Sequence, residues 1–263
     1  MIYILLPAYN EEISIKPLFE KLHLFFSEEK KLAYKIIICD DGSLDNTVDE
    51  INKFIDSHPI KILTHKINRG LGETMRDLIE YAAEVSQDDD IIIRMDCDDT
   101  HEPKFIYGMI KKIEEGNDIV IASRFVDGGG TRGLKGYRHV ISILAQHFMR
   151  LFFPIKGLKE YSSGYRAFRA KSLKHAVKVY GNDFIQLKGL GFTCTLEKIV
   201  KFKMLNAKFA ESPFELRYDQ KISDSKMIAS ITTMGYVIMV ILYYWPFRGW
   251  KSKYKNIEKL NEK

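Results

Sequence analysis

The sequence predicts an α/β fold in which a mostly parallel sheet is flanked by helices and followed by an apolar C-terminal helix. Three observations carry that expectation. Short apolar runs alternate with helical stretches of 10 to 18 residues over the first 122 positions, the pattern of βαβ units. Several runs end in clusters of Asp, Asn, Glu and Gly, and in such sheets ligands collect beyond the carboxyl ends of the strands. Residues 227–247 carry no charge, a length that just crosses a bilayer or makes an apolar surface helix.

The first strand is residues 2–6, stopped by Pro7, after which Ala8, Tyr9, Asn10, Glu11 and Glu12 open an amphipathic helix to about residue 28. Residues 34–39 form a second strand, 40–47 a turn and helix start, and the next helix runs to about residue 55. A third strand at 60–64 leads through Asn68, Gly70 and Gly72 into a helix ending near 85. The fourth strand, Ile91-Ile92-Ile93, is followed by a helix at 104–114 and a strand at 118–122. With 46% hydrophobic residues in 263, this chain buries a full core as one large domain. Its net charge of +5 is spread too evenly before residue 248 to imply a nucleic-acid partner. Cys39, Cys97 and Cys194 are odd in number and lack C-x-x-C spacing, which predicts a reducing cytoplasm and neither disulfides nor zinc. No basic lead or cleavage site precedes the first strand, so export by a secretory signal is not expected.

The fourth strand passes through Arg94 and Met95 into Asp96, Cys97, Asp98 and Asp99. Alternation along a strand would point Asp96 and Asp98 one way and Cys97 the other. Two hard oxygen donors on one spot suit Mg²⁺ or Mn²⁺ whose other ligands are waters and diphosphate oxygens. Aspartates also make turns and helix caps, and on these residues alone that alternative stays open.

Pro7-Ala8-Tyr9-Asn10-Glu11, Asp40-Asp41-Gly42-Ser43 with Asp45 and Thr47, Asn68-x-Gly70-x-Gly72, Asp96-x-Asp98 with His101 and Pro103, and Ser123-Arg124 follow one another along the chain. Their order and spacing resemble the inverting glycosyltransferases of family 2, and within them the dolichyl-phosphate mannose synthases and related polyprenyl-phosphate glycosyltransferases. The resemblance spans roughly residues 2–226 and implies a Rossmann-like GT-A catalytic domain over 1–226, an apolar helix at 227–247 and a basic tail at 248–263.

The resemblance implies roles residue by residue. Pro7, Ala8, Tyr9 and Glu11 would contact the base and ribose of a nucleotide-sugar donor, and Asp40 or Asp41 would accept a hydrogen bond from the base. Asp96, Cys97 and Asp98 would line the diphosphate, with Asp96 and Asp98 holding the cation and Thr100 standing where family members often carry Gln. Arg124 would lie near the diphosphate. Arg138 and Ser142, at i and i+4 of a helix at 137–153, would bind the phosphate of a lipid acceptor and complete the catalytic set. Arg217, Lys221 and Lys226 would clamp the donor phosphates from a closing loop. The segment from Glu160 to Arg166 would line the sugar and acceptor side, and Gly191-Phe192-Thr193 with Glu197 is similar to another family segment in which some synthases carry Lys at the position of Thr193.

The implied activity is inverting transfer of a sugar from a GDP-mannose or UDP-hexose type donor to a polyprenyl or dolichyl phosphate. A phosphomonoester is already anionic near neutral pH, its second pKa being about 6, so no general base is required. Transfer to a saccharide or protein hydroxyl is the alternative, for which Glu160 and Glu197 are candidate bases; an inactive nucleotide-sugar-binding scaffold is another. Aromatics at the end of 227–247, then Arg248, Lys251, Lys253 and Lys255, predict a helix attached to the lipid of the cytoplasmic membrane face, lying shallowly more than spanning. The tail from 251 to 263 is expected to be disordered, and the glycine-rich residues 127–136 to be mobile.

Overall fold

A computed structural model describes residues 1–28, 32–133, 136–223, 228–244 and 256–261. Its strands are β1 (Ile2–Ala8), β2 (Tyr34–Asp40), β3 (Ile60–Thr64), β4 (Ile91–Arg94), β5 (Ile119–Ser123), β6 (Gly130–Arg132), β7 (Arg166–Arg169), β8 (Phe209–Pro213) and β9 (Glu215–Arg217). The helices are α1 (Glu12–Glu28), α2 (Thr47–Asn52), α3 (Leu71–Val85), α4 (Ile106–Glu114), α5 (Gly136–Phe152), α6 (Ala170–Tyr180), α7 (Thr193–Met204) and α8 (Ala229–Tyr243). Seven strands form one sheet in the order β3-β2-β1-β4-β7-β5-β8, and β6 and β9 pair separately in parallel.

Period-two alternation divides the core. Ile2, Ile4 and Leu6 face one side with Ile36, Ile38 and the apolar stripe of α1, whereas Tyr3 and Leu5 face the other with Ile37, Met75, Leu78 and Ile79 of α3. Helices cover both faces, so the strands read as continuous apolar runs. β1 has β2 on one side and β4 on the other, and the strand order reverses there. The crevice outside the carboxyl ends at such a switch point is where ligands bind in open α/β sheets.

The structure departs from the sequence expectations in four places. β7 inserts antiparallel between β4 and β5, a four-residue strand, Arg166-Ala167-Phe168-Arg169, whose charged ends hide its pattern. α2 stops at Asn52, short of residue 55. The glycine-rich segment holds β6, which the partner strand β9 fixes. Residues 256–261 are docked: Leu260 N–H donates to Leu205 O, and the Asn261 amide donates to buried Asp118. Asp118 also takes bonds from Ser172 Oγ and Lys208 N, so the tail closes a polar network at the far end of β5.

α8 is 15 residues, about 22 Å at 1.5 Å per residue. Among the described residues no helix is long and apolar enough to cross a membrane. Thr232, Met239 and Tyr243 are buried against the domain, and Met234, Val237, Ile241 and Tyr244 form an exposed apolar stripe. The aromatic and basic flank at 245–255 lies outside the described residues.

Candidate active site

A cavity of about 530 Å³ opens at the carboxyl ends of β1, β2 and β4. Pro7, Ala8, Tyr9, Glu11, Asp41, Asp96, Cys97, Asp98, Thr100, Arg124, Ser142 and Lys221 all line it, so most of the expected site residues share one space. Asp40 and Arg217 are not on this wall. Arg138 belongs to α5 with its side chain outside what is described, and Lys226 lies outside the described residues.

The first two loops are stitched together. Asn10 N–H donates to Ser43 Oγ, Glu11 N–H to Thr47 Oγ1 and Glu12 N–H to Asp45 Oδ2, while Leu44 N–H donates to Asn10 Oδ1. Ser43, Asp45 and Thr47 therefore hold the loop of Tyr9 and Glu11 in shape. Asp41 continues the lacing to α3: its carboxylate accepts from Arg69 N at 2.8 Å, Gly70 N at 2.8 Å and His65 Nδ1 at 2.6 Å. Gly42 sits at φ +70, and a Cβ there would come within 2.6 Å of the Ile67 carbonyl carbon. The Asp-Asp-Gly turn thus requires glycine for both backbone and space.

β4 ends at Arg94, so Asp96 and Asp98 stand on a loop and strand alternation does not orient them. Their convergence on the cavity comes from side-chain fixing and from Asp99 at φ +60, a left-handed turn that bends the loop back. Arg94 Nη2 lies 2.5 Å from Asp96 Oδ1, and Asp96 N–H donates to His101 Nδ1 at 2.9 Å. Burial holds the His101 pKa down against the pull of Asp96 and Asp98, which agrees with a neutral ring accepting at Nδ1. Asp98 accepts from Thr100 Oγ1 at 2.6 Å and pairs with Lys221. Burial alone would raise the Asp98 pKa, but the Lys221 charge and the hydrogen bonds from Lys221 and Thr100 outweigh it and hold the carboxyl below its usual range. Among the described residues no three His, Cys, Asp or Glu side chains form a metal-binding group. The oxygen set is Asp96, Asp98 and Thr100, suited to a hard cation that takes most of its ligands from water and phosphate.

Arg124 is held on the cavity wall by a buried carboxylate and hydroxyls. Its Nε donates to Glu160 Oε2 at 2.7 Å and its Nη2 to Glu160 Oε1 and Ser162 Oγ, both at 2.9 Å, with Ser142 Oγ at 3.3 Å. This brings it beside Ser142 of α5. Glu160 is fully buried and also accepts from Ser162 N and Ser163 N. Burial would raise its pKa, yet Arg124 and Ser162 prevail and keep the carboxyl ionised. Glu160 is thus an anchor and cannot serve as the base that a hydroxyl acceptor needs. Glu197 cannot either: it is off the cavity wall, accepting from Gln186 N, Leu187 N and the Tyr243 hydroxyl, which ties α8 to α7. Arg217 is engaged with Asp219 at 2.8 Å and Glu102 at 3.5 Å.

Sequence reasoning missed Arg94, the cavity-facing first turns of α8 and a buried cation, Lys198. Arg94 stands two residues before Asp96 and its burial could have been suspected, since a charge in a central apolar strand needs a partner. Lys198 is 3% exposed, and burial, then repulsion from Arg166 and Arg94, pushes its pKa down to about 8. The folded chain sheds this proton near pH 8 and the unfolded chain near 10.4, so stability rises with pH across that window. Lys198→Met is expected to add roughly 2–3 kcal/mol at pH 7 and to flatten the rise from pH 8 to 10 in urea unfolding. An unchanged pH profile would show that burial does not displace the Lys198 pKa.

The fold matches solved structures over nearly the whole chain. Glucosyl-3-phosphoglycerate synthase from Mycobacterium tuberculosis, in complex with Mn²⁺, UDP and glucosyl-3-phosphoglycerate, aligns with TM-score 0.57 and 19% identity over 91% of this chain and 77% of that one. Mannosyl-3-phosphoglycerate synthase from Rubrobacter xylanophilus aligns with TM-score 0.57 and 17% identity over 100% of this chain and 77% of that one. These likenesses establish the GT-A fold. Among curated relatives, a dolichol-phosphate mannosyltransferase of Pyrococcus furiosus is 29% identical over 212 residues, 80% of this chain and 55% of its own length. A polyprenol monophosphomannose synthase of Mycolicibacterium smegmatis is 26% identical over 174 residues, 65% of this chain and 62% of its own. The chain spans little more than half the length of the Pyrococcus relative. The family described as Glycosyl transferase family 2 matches residues 3–176, well over half of the sequence, and the chain belongs to that family.

Proposed function

We propose that the protein transfers a sugar, with inversion, from a nucleotide-sugar donor to the phosphate of a polyprenyl lipid. The observation that carries this reading is the Arg124 cradle. A buried carboxylate holds the guanidinium rigid, and Ser142 and Ser162 stand within hydrogen-bond distance of it at the cavity wall. A guanidinium with two hydroxyls is a phosphate-binding set, and Glu160 keeps it oriented without consuming all its donors. The two relatives named for polyprenyl-phosphate products support the same acceptor.

The donor half follows from the other end of the cavity. Tyr9, Glu11 and Asp41 take the nucleoside, and Asp96 and Asp98, with Thr100 at the side of Asp98, face its diphosphate. The residues fit a Mg²⁺ or Mn²⁺ ion, which when bound supplies Lewis-acid neutralisation of the departing diphosphate. The chain's own contribution is alignment: Arg124 and Ser142 hold the acceptor phosphate, and Lys221 adds positive charge beside Asp98. With Glu160 and Glu197 both committed elsewhere, a nucleophile that arrives already ionised suits this site and a hydroxyl does not.

The exposed stripe of α8, with Leu144 and Leu151 of α5, supports attachment at a membrane surface, on the cytoplasmic side where nucleotide sugars are found. The test is incubation with a panel of GDP- and UDP-sugars, Mn²⁺ or Mg²⁺ and a short polyprenyl phosphate in detergent. A glycosyl phosphodiester labile to mild acid is the expected product. Binding of donors with no lipid ever glycosylated would refute the acceptor.

A further inference from the structure

Most polar groups on the cavity wall are paired within the chain, but among the described residues exceptions stand beside Gly164 and beside Gly191. Arg94, 4% exposed, has no acceptor among the described residues for Nη1, while its Nη2 is ion-paired with Asp96 Oδ1 at 2.5 Å. Thr232, also 4% exposed, has no partner for Oγ1 among the described residues. Both line the cavity, as does Tyr236, one helical turn beyond Thr232 on the same face of α8.

Glycines make room for both groups. A Cβ on Gly164 would stand 1.6 Å from Arg94 Nη1, and one on Gly191, at φ +57, 2.8 Å from Thr232 Oγ1. Buried polar groups are nearly always partnered in proteins, and exceptions call for a ligand or another specific cause. The guanidinium needs oxygen acceptors, whereas the threonine hydroxyl both donates and accepts. The donor's phosphate and base are served by Lys221 and Asp41 and the acceptor phosphate by Arg124, all of them paired. What remains of a nucleotide sugar is a ring bearing hydroxyls, which offers both kinds of bond.

We propose that Arg94, Thr232 and Tyr236 form the recognition wall for the transferred sugar, so that the first turns of α8 select which sugar is taken. This rests on the donor reading above and extends it to a helix that the sequence suggested only as a membrane handle. α8 would then serve two ends, its buried face reading the sugar and its exposed stripe meeting the lipid surface.

The experiment is calorimetric titration with UDP and GDP and with UDP-glucose, UDP-N-acetylglucosamine and GDP-mannose, in Mn²⁺ and without acceptor. Thr232→Val keeps the side-chain volume and removes the hydroxyl. It is expected to weaken the preferred nucleotide sugar about tenfold while the parent nucleotide stays within about twofold, and Thr232→Ser is expected to recover most of the loss. Equal losses for nucleotide and nucleotide sugar, or no loss in either, would overturn the inference. So would a wild-type chain that binds nucleotides equally with and without the sugar. Sugar-dependent binding that needs Thr232, in a protein that glycosylates no polyprenyl phosphate, would keep this inference and remove the acceptor reading. Normal lipid glycosylation with unaltered sugar preference in Thr232→Val would do the reverse.

Discussion

Replacing Arg124 by Met is expected to lower sugar transfer about a thousandfold while donor affinity stays within about twofold. The guanidinium sits with Ser142 and Ser162, so its loss strips the acceptor phosphate of its main cation and leaves the nucleotide contacts intact. Were Arg124 a donor residue, as the family resemblance implies, nucleotide-sugar affinity would fall with turnover. The single variant also leaves Glu160 buried and unpaired, a change that costs about 3–5 kcal/mol when one partner of a buried pair is removed. A second variant separates the two effects. Arg124→Met with Glu160→Gln removes both charges, and it should regain most of the lost thermal stability and none of the lost turnover. Recovery of turnover together with stability would mean that Arg124 acts only by holding the fold. Arg124→Lys should fall between, because an ammonium cannot match the two-point contact with Glu160.

Asp98→Ala is expected to abolish the metal-dependent part of transfer, again by about a thousandfold, since Lewis-acid stabilisation is worth several kcal/mol. The wild-type enzyme should lose activity in EDTA and regain it with Mn²⁺, whereas the variant should respond to neither. Asp98 pairs with both Thr100 and Lys221, and its low pKa keeps it ionised through the neutral range. Removing it also releases Lys221. Full activity of the variant in EDTA would show that Lys221 and the remaining cations carry the diphosphate without a metal.

The strands from β1 to β5 were legible because each is an apolar run closed by Pro, Asp or Gly, and the sheet buries both its faces. The rim was legible too, since Tyr9, Asp41, Asp96 and Asp98 stand at carboxyl ends. What the sequence could not reveal is how these residues are held. Asp40 and Asp41 are neighbours, yet only the loop geometry around Asn68 and Gly70 decides that Asp41 reaches the cavity. β7 escaped notice because a four-residue strand with Arg at both ends has no periodicity to read. Asp96 and Asp98 do converge, but through Arg94, His101 and Lys221, and not through strand alternation. Glu160 illustrates the limit best: a buried glutamate after a helix reads as a candidate base until Arg124, 36 residues away, is seen to occupy both its oxygens. Contacts across such distances depend on tertiary packing, which local pattern does not encode.

In the proposed reaction the acceptor is an ionised lipid phosphate and no side chain acts as its base. A polyprenyl phosphate and the polyprenol of the same chain length, offered together to the wild-type enzyme with the preferred donor, decide it directly. Transfer to the phosphate alone, at a rate that levels off once the phosphate is fully ionised above its second pKa of about 6, is the predicted result. Glycosylation of the free alcohol at a comparable rate would contradict the claim, because some group in the cavity would then have to take the hydroxyl proton.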